Sequence, residues 1–300
     1  MSQQAAAPAA PAPERGFSRD VIVSLVVVYV VWSSTYYALR VAVEELPALT
    51  MGGVRYLIAG SALFVFAKLR GARWPTAREW LAALPSGGLL FLVGNGFVAL
   101  AEVKLSSAVA AVVVATMPMF AAAMAPLFGE KSRRGEWVGM GLGLIGVVVL
   151  SLNGELQAER TSALLLFVAP VGWAIGSMLS RKLPAAPGML SPAAQMLCGG
   201  VLLVAAGFLR GETLPAHVTF RGVAAVVYLI VLGSLAGFTA YAHLLKTTRP
   251  ALAMSYSYVN PPIAVIIGAA LGKERIGPEM LIAVALIGAG TFTLIRNARK

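Results

Sequence analysis

The chain has 300 residues, of which 58% are hydrophobic and 12% are charged, against about 25% charged in an average soluble protein. A water-soluble fold of this size could not enclose so much apolar surface, so the composition predicts an all-α integral membrane protein. The formal net charge is +11. We attribute it to Lys and Arg between membrane spans, where they set orientation, and expect no nucleic-acid partner.

The N-terminal residues 1–20 are rich in Ala, Pro and Gln, and we predict a disordered cytoplasmic tail there. After the tail the chain alternates between apolar segments and short polar connections. A membrane span needs about 20 apolar residues. The sequence predicts ten spans, with the fifth short and rich in Gly: 21–39, 48–67, 80–100, 106–128, 137–152, 162–180, 192–209, 223–245, 250–271 and 278–295.

The basic residues predict the orientation of these spans. Lys and Arg are concentrated in the tail, in the connections that follow the even-numbered spans, and at the C-terminus. Because cytoplasmic connections carry an excess of Lys and Arg, both termini are expected in the cytoplasm of a multi-pass protein of the cell inner (plasma) membrane.

The two halves of the chain, 21–152 and 162–295, resemble each other. At a spacing of about 142 residues the alignment pairs Trp32 with Trp173, Arg40 with Arg181, Pro118 with Pro261, and Gly129 with Gly272. Each half contains five predicted spans, and an odd number inserts the second half upside down. Inverted repeats are typical of secondary transporters, with the substrate near the midplane between them.

The fourth and ninth spans contain prolines and end in a Gly-Glu turn: Pro118 precedes Gly129-Glu130, and Pro261 precedes Gly272-Lys273-Glu274. Lys273 makes the second turn depart from the pattern. In these features the chain, over about 15–299, resembles the EamA-type drug/metabolite transporter superfamily and is similar to bacterial exporters of amino acids, aromatic ones included. The resemblance implies a ten-helix basket in which spans 1, 3, 4, 6, 8 and 9 line a cavity, spans 5 and 10 are peripheral, and no cofactor is bound.

A polar and aromatic stripe runs along the first span and is repeated in the sixth. Its candidate substrate-binding residues are Trp32 and Tyr36 in the first span and Trp173 and Ser177 in the sixth. The helical spacing places each set on one face. Such rings are compatible with a cavity wall that contacts an apolar or aromatic group, or with an aromatic belt at the headgroups. The mid-span positions of Trp32 and Trp173 favour the cavity.

The ninth span is unusually polar: Tyr256, Tyr258 and Asn260 precede Pro261 and Pro262. Prolines leave carbonyl groups without helical partners, which lipid does not tolerate unless protein or a watery cavity adjoins them. The span is therefore predicted to contact substrate, although hydrogen bonding between helices would also explain it. We predict hinges at Pro118, Pro261 and Pro262.

Other polar or flexible candidates lie in separate spans. Met117, beside Pro118, suits a permissive binding site. Asn95 is compatible with substrate binding or with capping a close helix contact. Tyr241 and His243 lie in the eighth span, where His243 fits either a proton-linked switch or a simple hydrogen bond. Arg55 is functional or extends to the membrane interface; the resemblance argues against direct substrate contact, because the second span is not expected to line the cavity.

The sequence contains no mid-span carboxylate, and Glu102 comes nearest to the membrane interior. Proton coupling through a buried carboxylate is therefore not expected. The combined prediction is a non-enzymatic exporter of amino acids or similar metabolites that works by alternating access, with a small-molecule substrate and the lipid bilayer as partners, and no metal. The scheme is compatible with a monomer. The alternatives are a drug or lipid-headgroup exporter of the same fold and, as another class, a membrane-embedded transferase.

Overall fold

A computed structural model describes residues 18–128, 134–150, 152, 154–248 and 250–298. Within these ranges every regular element is a helix. Short helices Gly154–Ala158 and Pro250–Ala253 precede the sixth and ninth of the principal helices. The principal helices are α1 (Arg19–Val43), α2 (Ala48–Leu69), α3 (Ala77–Glu102), α4 (Ser107–Met124), α5 (Arg134–Leu150), α6 (Arg160–Lys182), α7 (Leu190–Leu209), α8 (Phe220–Thr247), α9 (Tyr256–Gly272) and α10 (Pro278–Ala298).

In the described part of the chain, seven helices are long and apolar enough to cross a membrane, namely α1 to α4 and α6 to α8. The remaining principal helices contain shorter apolar stretches, Trp137–Leu150, Val259–Gly272 and Pro278–Gly290. Each predicted apolar segment thus falls mainly on helical residues where it is described, and the all-α class is confirmed for the described ranges. The number of ten membrane crossings stays a prediction.

Polar caps extend some helices beyond the segments that hydropathy predicts. The side chain of Ser18 accepts a hydrogen bond from the backbone N–H of Val21 and starts α1 at Arg19. Residues 19 and 20 therefore belong to α1, and the predicted tail was drawn too long. Thr76 and Glu79 form a capping box that starts α3 at Ala77. Such polar starts are invisible to a pattern based on apolar residues alone.

The helices pack in pairs that relate the two halves of the chain. α1 packs against α8 and α9, while α6 packs against α3 and α4; α2 packs on α7, and α5 on α10. Exchanging the first five helices for the last five leaves this set of pairs unchanged, as two related halves would require. The division into repeats at 21–152 and 162–295 remains a prediction from the sequence.

Two of these pairs approach closely at glycines. A Cβ atom added at Gly53 of α2 would lie 2.5 Å from Cγ2 of Val204 and 2.9 Å from the carbonyl oxygen of Gly200, both on α7. A Cβ atom added at Gly290 of α10 would lie 2.6 Å from the carbonyl oxygen of Gly139 on α5. Small residues allow this contact, and close packing is a main source of helix association in lipid.

The helices α4 and α9 depart from regular geometry, but only in α4 does the break lie at the proline. The first part of α4 ends at Val114, whose carbonyl would have accepted from the N–H that Pro118 lacks. The helix α9, by contrast, runs through Pro261 and Pro262, and the chain turns earlier, at Met254–Ser255. The break expected at this proline pair is thus displaced, because the missing hydrogen bonds weaken the first turn of α9.

π-helical stretches interrupt α3 at Gly88–Gly96 and α8 at Leu229–Phe238. These positions correspond at the spacing of about 142 residues that relates the two halves. The wider π turns shift backbone carbonyls out of the regular ladder, and such turns are frequent at functional sites. Neither stretch is visible in the hydropathy pattern.

Carboxylates outside the helices cap helix N-termini. Glu274 accepts hydrogen bonds from the N–H groups of Ser107 and Ala108 at 2.9 and 3.0 Å. Glu212 accepts from the N–H of Thr50 at 2.8 Å. Glu274 is the acidic residue of the second Gly-Glu turn, so this turn helps to start α4. The first such turn, Gly129-Glu130, lies outside the described residues.

A third carboxylate of this kind is Glu45, between α1 and α2. It accepts hydrogen bonds from the N–H and the hydroxyl of Thr219, at 2.7 and 2.5 Å. Because these bonds favour the ionised form, they hold the pKa of Glu45 below its usual value. Glu45 thus joins the start of α8 to the end of α1.

Replacing Gly53 by Ala should destabilise the folded protein by about 1–3 kcal/mol, because the new methyl group would overlap α7. Gly52→Ala is the matched control, since a Cβ atom there meets its nearest neighbour, Cδ1 of Leu203, at an ordinary 3.7 Å. Thermal unfolding of the purified variants in detergent measures the difference. Equal melting temperatures would contradict the close α2–α7 contact.

Candidate functional site

A central cavity lies between helices of the two halves. It collects residues from α1, α2, α3, α4, α6, α8 and α9, which agrees with the expected lining except for α2. The expectation that the second span stays away from the cavity is wrong, because the pairing of α2 with α7 and α8 turns one face of it inward. The lining residues are Trp32, Thr35, Tyr36, Leu39, Arg55, Tyr56, Phe91, Gly94, Asn95, Val98, Val114, Ala169, Pro170, Trp173, Gly233, Phe238, Tyr256 and Asn260.

Aromatic rings form one side of this cavity. The rings of Trp32 and Trp173, which the repeat aligns with each other, meet edge to face with centroids 5.5 Å apart. Tyr256 lies 4.8 Å from Trp32 in the same geometry. Phe238 extends the cluster, 6.3 Å from Trp173. Edge-to-face contacts of this kind are favourable and fix the orientation of each ring. The cavity therefore presents fixed ring faces and edges to an apolar group.

Two predicted site residues support this cluster from beneath without lining the cavity. Tyr241 is fully buried, and its ring centroid lies 5.1 Å from that of Trp32. Its hydroxyl exchanges a hydrogen bond with the buried Ser177 at 2.9 Å, and Nε1 of Trp173 donates to it at 3.4 Å. Tyr241 and Ser177 therefore hold the tryptophan in place.

The polar face of α9 meets α1. Ser33 donates to Oδ1 of Asn260 at 3.0 Å, and the hydroxyls of Tyr29 and Ser255 lie 2.5 Å apart. Nδ2 of Asn260 is buried and has no hydrogen-bond partner among the described residues. Some polar residues at this helix therefore bond to the neighbouring helix, as one of the two interpretations requires, and Asn260 also lines the cavity. Contact with substrate stays a prediction.

Asn95 of α3 lines the cavity and also donates a hydrogen bond to a backbone carbonyl group. Its Nδ2 donates to the carbonyl oxygen of Leu90 at 3.1 Å, within the π-helical stretch. Trp32 does the same for the other stretch, because its Nε1 donates to the carbonyl oxygen of Gly233 at 3.1 Å. The side chains that line the cavity therefore satisfy backbone groups that the irregular helices release.

The remaining predicted residues occupy several positions. Met117 is fully buried, and its Sδ atom accepts a contact of 3.5 Å from the hydroxyl of Tyr256, so it lies behind the cavity wall. His243 is half-buried on α8 and does not line the central cavity. The side chain of Tyr258 lies outside the described residues, although its backbone belongs to α9.

Arg55 is a cavity residue that sequence reasoning set aside. Its side chain is almost fully buried, with Nε donating to the hydroxyl of Ser234 at 2.8 Å. Its guanidinium carbon lies 4.7 Å from the centre of the Tyr56 ring. A signal was present in the sequence, since a lone Arg inside an apolar span is costly and marks function by default. This signal was given less weight than the family expectation that the second span does not line the cavity.

Polar openings adjoin the bundle at both ends of α8. One, near the start of α8, contains Arg40, Glu44, Lys104, Arg221 and Glu274 among its lining residues. The other, near the end of α8, contains Arg181, Gln195 and Lys246.

Two arginines that the repeat aligns make the same type of contact at these ends. Nη1 of Arg40, on α1, donates to the carbonyl oxygens of Glu102 and Leu105 at the end of α3. Nη1 of Arg181, on α6, donates to the carbonyl oxygen of Leu245 near the end of α8, at 2.8 Å. Cations are favoured at helix C-termini.

Glu102 is more deeply enclosed than the sequence suggested. It is the last residue of α3, as expected for a carboxylate at a span end, yet it is fully buried. Neither of its carboxylate oxygens has a hydrogen-bond partner among the described residues. An ionised carboxylate in this position would be costly. Glu102 is therefore the acidic group to examine in any test of proton coupling.

Known proteins resemble this chain over most of its length. The EamA-like transporter family matches residues 21–152 and 160–296. The inner membrane transporter YedA of Escherichia coli (strain K12) is 41% identical over 265 residues, covering 88% of this chain and 87% of that protein.

More distant relatives also match most of the chain, and a solved structure shares its fold. A probable terminal-alkyne amino-acid exporter of Streptantibioticus cattleyicolor is 25% identical, covering 91% of this chain and 93% of that protein. A probable amino-acid metabolite efflux pump of Salmonella typhimurium is also 25% identical, covering 94% and 98%. One crystal structure with 22% identity shares the fold, with a TM-score of 0.69 over 94% of this chain and 99% of that one. The chain is a membrane transporter and belongs to the EamA-like transporter family.

Proposed function

We propose that the protein exports amino acids or similar small metabolites across the inner membrane by alternating access. The observation that carries the proposal is the central cavity, where Trp32 and Trp173 meet between the two halves and polar donors face the same space. Motion of one half against the other would open this cavity to each side in turn. Relatives named as amino-acid exporters and efflux pumps support the substrate class.

The same cavity argues against an exporter of cationic drugs. Binding a lipophilic cation in the membrane interior usually requires a carboxylate. Among the described residues, the cavity lining contains no Asp or Glu and includes Arg55. A membrane-embedded transferase receives no support from the relatives, which are named as transporters.

Reconstitution into proteoliposomes tests the function. Vesicles loaded with unlabelled L-phenylalanine should accumulate external radiolabelled L-phenylalanine in a saturable manner, because a carrier exchanges substrate in both directions. A panel of aliphatic amino acids measures the breadth of the site. Transport of ethidium by folded protein that does not transport any amino acid would instead establish the drug exporter.

Loss of a cavity contact should lower substrate affinity without unfolding the protein. Trp173→Ala and Asn260→Ala should each weaken L-phenylalanine binding by about two- to twelvefold, the equivalent of about 0.5–1.5 kcal/mol. Trp137→Ala is the control, since this tryptophan is largely exposed on α5. Binding is measured per folded molecule of purified protein. Unchanged affinity in both cavity variants would move the site elsewhere.

Transport should proceed with equal pH on both sides of the vesicle membrane, because among the described residues neither His nor a carboxylate lines the cavity. The measurement is exchange of labelled L-phenylalanine with and without an imposed proton gradient, in the wild type and in Glu102→Gln. A strict requirement for the gradient that Glu102→Gln removes would contradict substrate-driven export and assign the coupling to Glu102.

The proposed orientation has both termini in the cytoplasm. An alkaline phosphatase fused after Lys300 should therefore be inactive, whereas the same reporter fused after Glu155 should be active in the periplasm. The basic residues between spans give the physical reason. The opposite pattern of activities would reverse the orientation of the whole bundle.

A further inference from the structure

Within the part of the chain that the structure describes, Arg55 lies inside the bundle without an acidic partner. It lies two turns into α2 and is 6% exposed, which leaves no open route for its head group to reach the membrane interface. The ion pairs found among the described residues join Arg40 and Arg221 to Glu44, and Arg73 to Glu79. Because a guanidinium does not lose its proton in proteins, Arg55 brings an uncompensated positive charge to the cavity.

The surroundings of Arg55 fix its direction but leave hydrogen-bonding capacity unused. Nε is bonded to the hydroxyl of Ser234, and the ring of Tyr56 lies beneath the guanidinium carbon. The terminal nitrogens have no acceptor among the described side chains and carbonyls. Gly233 makes room for one of them, since a Cβ atom there would lie 2.9 Å from Nη2. The terminal N–H groups are thus available to a ligand in the cavity.

A second unused donor belongs to Asn260, a residue of the same cavity lining, and is enclosed in the conformation seen here. Oδ1 of Asn260 already accepts from Ser33, whereas its Nδ2 lacks an acceptor. Because the guanidinium and the amide N–H group are both hydrogen-bond donors, they favour a ligand with several hydrogen-bond acceptors. A carboxylate meets this requirement, because it accepts paired hydrogen bonds from Arg in a planar geometry.

We propose that Arg55 binds the carboxylate of the transported molecule, with Asn260 as an auxiliary donor. The rest of the substrate lies against the rings of Trp32 and Tyr256, so the site selects carboxylates with an apolar or aromatic body. The amino group of an amino acid is accommodated by the ring faces, which attract cations. This inference rests on the proposed function in taking the central cavity as the transport site.

Four probes that share a phenyl group test the proposal: L-phenylalanine, 3-phenylpropionate, L-phenylalaninamide and phenethylamine. The first two carry a carboxylate and the last two do not. Binding to purified wild-type protein in detergent should favour the carboxylates. Arg55→Gln should weaken binding of L-phenylalanine and 3-phenylpropionate by about ten- to hundredfold. It should not weaken binding of the two amines, because the loss of a positive charge removes a repulsion from their ammonium groups.

Two further variants separate ligand binding from folding. Arg55→Lys keeps the charge but loses the paired geometry, so it should retain part of the preference for carboxylates even if Arg55→Gln folds poorly. Arg70→Gln, at the exposed end of the same helix, should leave all four affinities unchanged. A purely structural Arg55 would lower the yield of folded protein and affect all probes equally.

The outcomes distinguish this inference from the proposed function. Equal losses for all four probes in Arg55→Gln, or the absence of carboxylate binding to the wild type, would overturn the role of Arg55. Binding of 3-phenylpropionate that depends on Arg55, in a protein that transports no amino acid, would uphold the role of Arg55 and refute amino-acid export.

Discussion

Backbone hydrogen bonding in a lipid environment is the constraint on which the structure depends. A chain inside the membrane must satisfy its own N–H and C=O groups, so regular helices are the default. This protein departs from the default in the π-helical stretches of α3 and α8 and in the breaks of α4 and α9. Each departure is accompanied by a side chain that accepts or donates in place of the missing helical bond.

These compensating side chains are largely the residues of the cavity and its surroundings. Asn95 bonds the carbonyl of Leu90, and Trp32 bonds that of Gly233. The hydroxyl of Ser255 bonds the carbonyl of Leu252 beside the α9 break. The irregular backbone and the binding groups are therefore parts of one arrangement, because a cavity is the place where freed polar groups find partners. A substitution at Asn95 or Trp32 would alter both together.

Much of the fold followed from the sequence because hydropathy, basic residues and repeat spacing are local signals. The helices lie where the patterns placed them, as do the cavity positions of Trp32, Tyr36, Asn95, Trp173, Tyr256 and Asn260. Substrate binding by these residues stays a prediction. Boundaries were less accurate because polar caps such as Thr76 carry no hydropathic signal. Arg55 was misjudged because its environment depends on how α2 packs against α8, which the sequence of α2 alone does not reveal. The π-helical stretches were not predicted, for a similar reason.

The paired contacts of Arg40 and Arg181 affect which substitutions the two ends of the bundle tolerate. In each case a guanidinium is bonded to backbone carbonyl oxygens near a helix C-terminus. Every residue type supplies such a carbonyl, so the acceptor of this bond persists whatever side chain stands at positions 102, 105 and 245. The two arginines are therefore the positions at which these contacts depend on residue identity.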